Sequence, residues 1–205
     1  MPVKINLLPG ARKIPSRPKW LDGHEFRFAR MESNRATSRY KQDLARQFLE
    51  RDLKNSSHRV RNALILGMGR NFDEVSLLTD HFRDMREIYI VEWDPWKVTA
   101  IRQRFARDAS RERIKVLCED ARSMRRVADS KVDIVYFSAL LDLHLGNHDD
   151  LRILSEIGRV LRPNGHAFSL DLLIYRKKER DHLEAVGLER VRSQVYRKKA
   201  QAENT

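Results

Sequence analysis

From residue 63 onward the chain alternates between two spacings of apolar side chains. The short apolar runs "ALILG", "EIYIVE", "IKVLCE" and "VDIVYF" are each followed by a longer stretch in which apolar residues recur every three or four positions. The first pattern predicts buried strands and the second amphipathic helices. Val75, Leu78, Phe82 and Met85 form the stripe of the first helix, and Leu151, Leu154, Ile157 and Leu161 that of the last. "RPNG" then turns the chain into a fifth strand, "HAFSLDLL". Such a βαβ series predicts an α/β domain with a doubly wound, mostly parallel sheet and helices on both faces. One further strand candidate, "LERVRSQVYR", follows, so a shortened C-terminal edge is expected.

Ahead of this series the pattern differs. Four of the six prolines lie in the first 18 residues, which predicts an irregular arm or a strap. A helix is expected next, capped by Ser33, with a stripe of Ala36, Tyr40, Leu44, Phe48, Leu49 and Leu53, and stopped by "NSS" at 55–57. We therefore divide the chain into a basic N-terminal extension, 1–61, and a main domain, 62–205.

Charge sharpens that division. The formal charge of +12 splits into +9 over residues 1–61, −1 over 62–171 and +4 over 172–205. Basic flanks around a neutral core suggest a polyanionic partner such as RNA, or an acidic small molecule. An Arg-rich solvated surface explains the same numbers. Ile5, Leu7, Leu8, Trp20 and Phe26 favour a strap over the core, since a purely electrostatic arm needs no such side chains. The longest apolar run, "IVYFSALL", is far below the roughly 18 residues that cross a bilayer. A cytoplasmic protein with no membrane partner is expected, and the single cysteine, Cys118, suits a reducing compartment. Cys118 itself is expected to be buried filler on the third strand.

In an open parallel sheet ligands bind beyond the carboxyl ends of the strands, so the residues that end strands carry the chemistry. The first strand runs into Gly67, Met68, Gly69, Arg70 and Asn71, where bare backbone lets a ligand approach. A dinucleotide fingerprint would have a third glycine where Phe72 stands, and would rest a pyrophosphate on a helix that here begins with Asp73 and Glu74. Two carboxylates repel a diphosphate but suit a cofactor carrying an ammonium and a sulfonium, as S-adenosylmethionine does. The second strand ends "IVEWDPWKV". Asp94 before Pro95 reads as a helix N-cap, which leaves Glu92 to accept from two ribose hydroxyls. Asp120, in "VLCEDARSM" at the end of the third strand, is placed to accept from an adenine amine.

Residues 62–173 resemble the class I S-adenosylmethionine-dependent methyltransferases. The similarity runs through "LGMGRN", "VEWDP", "CEDA", "VDIVYFSAL" and "LSEIGRVLRPNGHAFSLDL" in that order. It implies that Gly67 and Gly69 back the methionine part of the cofactor, Glu92 holds the ribose and Asp120 the adenine end. Met68, Asn71, Asp73, Trp93, Ala121 and Ser138 join the implied cofactor-binding set. There are departures: Ile65 stands where the family carries an acid, Asn71 replaces a glycine, and one strand candidate replaces two. Asp73 could take over the ammonium.

Three alternatives remain open at this level. The first is a non-catalytic cofactor-, RNA- or protein-binding member of the same fold. The second is a spermidine synthase-like aminopropyltransferase, which "FSALL" opposes because it lacks that family's aspartates. The third is a metal held by Asp142, His144, His148 and Asp149, although Asp149 or Asp150 more simply caps the next helix, and no metal is expected. His144 is the candidate general base by position, ahead of Tyr40 and His24. The acceptor is expected to be a small molecule or RNA.

Overall fold

The computed structural model describes residues 59–67, 73–108, 111–137, 147–169, 183–192 and 195–200, together with positions 43, 46, 47 and 53. Seven strands form one sheet: β1 Asn62–Leu66, β2 Glu87–Glu92, β3 Ile114–Cys118, β4 Val132–Phe137, β5 Leu161–Ser169, β6 Leu188–Arg192 and β7 Val195–Lys198. Their order is β3-β2-β1-β4-β5-β7-β6. The first five run parallel, while β7 is antiparallel to both β5 and β6.

Alternation along the strands builds two cores. Ala63 and Ile65 of β1, with Ile88 and Ile90 of β2, face one side of the sheet. There they meet Val75 and Leu78 of α1 (Asp73–His81) and Ile101 and Phe105 of α2 (Pro95–Phe105). Leu64, Leu66, Tyr89 and Val91 face the other side, where α3 (Asn147–Val160) brings Ile153, Leu154, Ile157 and Val160. The sheet is thus doubly wound, and a one-residue slip of any central strand would exchange the two cores. Leu53, from the stretch before β1, is buried in the α1–α2 core. At positions 43, 46 and 47 the backbone is helical and the side chains are exposed. The rest of that segment lies outside the described residues.

Three expectations change. "LERVRSQVYR" is two strands, not one, so the sheet is not shortened: β6 and β7 pair antiparallel through Arg190↔Tyr196. Its apolar positions are few enough to read as a single strand, and only pairing with β5 through Ala167↔Tyr196 separates the two. Second, no helix follows β3. Residues 119–131 are turns, and Met124 and Val127, both fully buried, fill the α3-side core in a helix's place. Those turns hang on α3: Glu156 Oε2 accepts the Met124 N–H at 2.6 Å, while Arg159 donates to the Met124 and Val127 carbonyls at 2.8 and 2.9 Å. Third, β3 is an edge strand and only half-buried, because among the described residues nothing pairs with its outer side. Cys118 is exposed there and is not core filler.

The amino end of the sheet is anchored by Asp133, which is 4% exposed. Its carboxylate accepts from the Arg61 and Asn62 N–H groups at 2.5 and 2.7 Å and pairs with Arg162 at 2.7 Å. β1 is thereby fastened where it enters the sheet. Among the described residues no helix is long and apolar enough to cross a membrane.

Candidate cofactor site at the carboxyl rim

The strand order reverses between β1 and β4, and the crevice beyond their carboxyl ends is where such a sheet binds ligands. Leu66 of β1 lies level with Val91 of β2 and Phe137 of β4, so Gly67 and Glu92 come next, side by side. Glu92 in turn lies level with Cys118 of β3. Gly67 has φ +67°, in the left-handed region where a side chain would be strained. The backbone turns away there, toward a helix that begins at Asp73 as expected.

Glu92 is the most constrained acid of this rim. It is 4% exposed, accepts the Asp94 N–H on Oε1 at 3.1 Å, and has Lys97 Nζ 4.0 Å from Oε2. Burial raises its pKa above the ordinary carboxylate value, against the opposing pull of Lys97 and the Asp94 N–H. A carboxylate offers about four lone-pair positions, and these contacts leave room for further donors. The donor chemistry therefore fits a ligand that presents a pair of hydroxyls to a buried carboxylate. Asp94, by contrast, serves its helix: its Oδ1 accepts the Trp96 N–H at 2.9 Å and Pro95 is the first residue of α2. The cap expected of Asp94 is present.

Asp120 lies at the rim just past β3 and is engaged by a neighbour the sequence reading overlooked. Arg122 donates its Nε to both carboxylate oxygens at 2.9 Å, its Nη2 to Oδ2 at 2.5 Å, and its backbone N–H to Oδ1 at 2.8 Å. The guanidinium holds the Asp120 pKa below its ordinary value. The spacing of two residues, the reach of an Asx turn, was the signal for this contact. An adenine amine would have to share the carboxylate with Arg122, an exposed pair that resists little. Trp93 is half exposed beside Glu92, and Ala121 packs partly buried against the α3-side core.

Ile65, where the resembled family carries an acid, is fully buried in the α1–α2 core and paired between Ile90 and Tyr136. Met68, Gly69, Asn71, Ser138, Asp142, His144, Tyr40 and His24 lie outside the described residues, as does the side chain of Asp73. α3 starts at Asn147, so Asp149 and Asp150 occupy its first turn and neither is its cap. His148 falls there too. Among the described residues no three metal-ligating side chains cluster.

The fold is doubly wound, and its switch point brings Gly67 and the buried carboxylate of Glu92 side by side. A family model described as a methyltransferase domain matches residues 66–169, about half of the chain. The chain belongs to that family, the class I S-adenosylmethionine-dependent methyltransferases, whose cofactor is S-adenosylmethionine. Among solved structures it is similar to a candidate sarcosine dimethylglycine methyltransferase from Galdieria sulphuraria, with 17% identity over 77% of this chain and 64% of that one, at a TM-score of 0.61. The mitomycin 7-O-methyltransferase shares 19% over 87% of this chain and 58% of that one, at 0.60. The [4+2]-cyclase SpnF shares 18% over 74% and 58%, at 0.56. The chain spans about three fifths of the length of these three structures, and at such identities they speak to the fold alone. A comparison with curated protein sequences finds no match.

Proposed function

We propose that this protein transfers the methyl group of S-adenosylmethionine to a nucleophile, of a small molecule or an RNA, held over the carboxyl rim. The observation that carries the reading is Glu92, a buried carboxylate beside the left-handed Gly67 at the switch point of the sheet. When bound, the cofactor supplies a methyl on a sulfonium, whose C–S bond breaks as the acceptor's new bond to carbon forms. Glu92 would orient it by accepting from the ribose hydroxyls. Gly67 lets the backbone of the turn lie close to the methionine portion. Trp93 would offer an indole face to the ribose, and Asp120 would supply an acceptor for the adenine amine in competition with Arg122. Such a displacement is promoted chiefly by alignment, which can supply about 7–11 kcal/mol, so a dedicated base is not required.

The family match favours methyl transfer over aminopropyl transfer. Calorimetry with S-adenosylmethionine and S-adenosylhomocysteine, followed by transfer of labelled methyl to RNA and to small-molecule extracts, tests the reading. Binding of both ligands with label in a product supports it. Binding without turnover would indicate a cofactor-binding protein, and absence of binding would overturn the assignment of the rim.

A further inference from the structure

The core is neutral in sum but not in distribution. Residues 97–131 carry 11 Lys+Arg against 5 Asp+Glu, a net +6, so the remainder of 62–171 carries −7. This basic stretch is α2, the edge strand β3 and the turns after it, which together make one outer border of the sheet. The cations follow the open edge of β3. Arg102 of α2 donates to the Val116 carbonyl at 2.9 Å and Arg126 to the Cys118 carbonyl at 3.1 Å, while Lys115, exposed on the strand, turns inward to Glu87 and the Tyr89 ring of β2. Arg111 and Arg113 stand exposed in the turn leading into β3, without a carboxylate partner among the described residues. The track ends at the carboxyl rim, where the Cys118 thiol lies 3.9 Å from the Trp93 carbonyl. Trp96, 57% exposed on the first turn of α2, closes it.

An ordinary solvated face needs cations but not an exposed indole. Cations along an open edge with a tryptophan at one end match a nucleic-acid strand, its phosphates on the cations and a base on the ring. A side chain stacks most readily on an unpaired base, and unpaired bases splayed for such stacking are the usual targets of recognition in RNA. We propose that the α2–β3 border is a binding surface for single-stranded RNA, which runs along β3 and delivers a nucleotide toward the rim at Trp96. The residues of this surface lie between the basic N- and C-terminal flanks in sequence and belong to neither. Arg102 and Arg126 also cover edge carbonyls that would otherwise invite another strand, so the same side chains keep the edge open to RNA and closed to aggregation. Lys115 and Arg126 are engaged by Glu87 and Glu119, so Arg111 and Arg113 are the cations of this border best placed to meet phosphate.

The test is fluorescence anisotropy of the full chain with a labelled oligouridylate of about 15 nucleotides across 50–200 mM salt. Wild type should bind with a steep negative salt slope, near −0.7 per phosphate neutralised. Arg111→Glu with Arg113→Glu should flatten that slope by about 1.4 or more. Trp96→Ala should weaken binding about 5- to 150-fold, the range for loss of a stacked base, with little change in slope. Thermal denaturation and S-adenosylhomocysteine affinity serve as controls and should match wild type in both variants, which keeps this result separate from that for the cofactor rim. Absence of RNA binding would overturn the proposal. So would binding that both variants retain, which would assign RNA to the flanks. Equal affinity for single-stranded DNA, for duplex RNA or for anionic phospholipid vesicles would also overturn it, because none of these requires both the stacked base and RNA.

Discussion

Glu92→Gln separates what the rim does for binding from what it costs the fold. The amide keeps an oxygen for the Asp94 N–H, which lies 3.1 Å from Oε1. At Oε2, already 4.0 Å from Lys97, an acceptor can become an NH₂ that cannot receive the second ribose hydroxyl. A hydrogen bond to a charged group contributes about 1.5–3 kcal/mol, so affinity for S-adenosylhomocysteine at pH 7 should fall about 10- to 150-fold. Stability without ligand should move the other way. Burial raises the Glu92 pKa from 4.5, so its contribution to stability is fully present below that value and is lost as pH rises through the raised one. At pH 7 the wild-type fold therefore carries a buried charge that the amide removes. The variant should melt at or above the wild-type temperature at pH 7, and the difference should vanish in acid where Glu92 is neutral in both states. Cofactor affinity of wild type should also weaken as pH falls and Glu92 takes up its proton, while that of the variant stays flat. Calorimetry and ligand-free thermal denaturation at several pH values read both effects. Unchanged affinity would refute the ribose assignment, and a variant less stable than wild type at pH 7 would refute the claim that burial outweighs Lys97 and the Asp94 N–H.

The remaining predictions concern the scaffold. Asp94→Ala should cost about 1 kcal/mol of stability through loss of the α2 cap while leaving S-adenosylhomocysteine affinity intact, since the Asp94 N–H that reaches Glu92 is backbone; denaturant melts and calorimetry check it. Asp133→Ala should cost about 3–5 kcal/mol in chemical denaturation, because Arg162 and two backbone donors lose a buried anion. Gly158→Ala should be destabilising by about 1–3 kcal/mol, since the added Cβ would sit 2.6 Å from the Val186 carbonyl oxygen. Glu87, held at a pKa of about 2 by its hydrogen bonds to Lys115 and then Lys131, contributes stability above 4.5 that is lost as pH falls through 2. Glu87→Gln should accordingly flatten the acid limb of the stability profile between those pH values, followed by circular dichroism.

Local periodicity determined much of this protein. Strands β1, β2 and β4 are buried runs flanked by amphipathic helices, and their alternation of spacing is set by how each element repeats along its own axis. The capping role of Asp94 was legible for a similar reason: a cap is decided within four residues, by an Asp before a Pro. What involved distant partners was not legible. The stretch after β3 spaces Ala121, Met124 and Val127 as a helix would, yet it forms turns that fill a helix's place because Glu156 and Arg159 of α3, more than 30 residues away, take up its backbone polar groups. The split of 188–198 into two strands depends on pairing with β5, and the exposure of Cys118 on the place of β3 at the edge of the described sheet. Asp133 looked like one polar residue in an apolar run until the fold brought Arg61, Asn62 and Arg162 to it. The basic border follows the same logic: its charges are scattered over 35 positions of sequence, and strand order alone gathers them along one edge. Spacing along the chain specifies which face of an element is apolar, whereas the identity of neighbours across the sheet is a property of the closed tertiary structure.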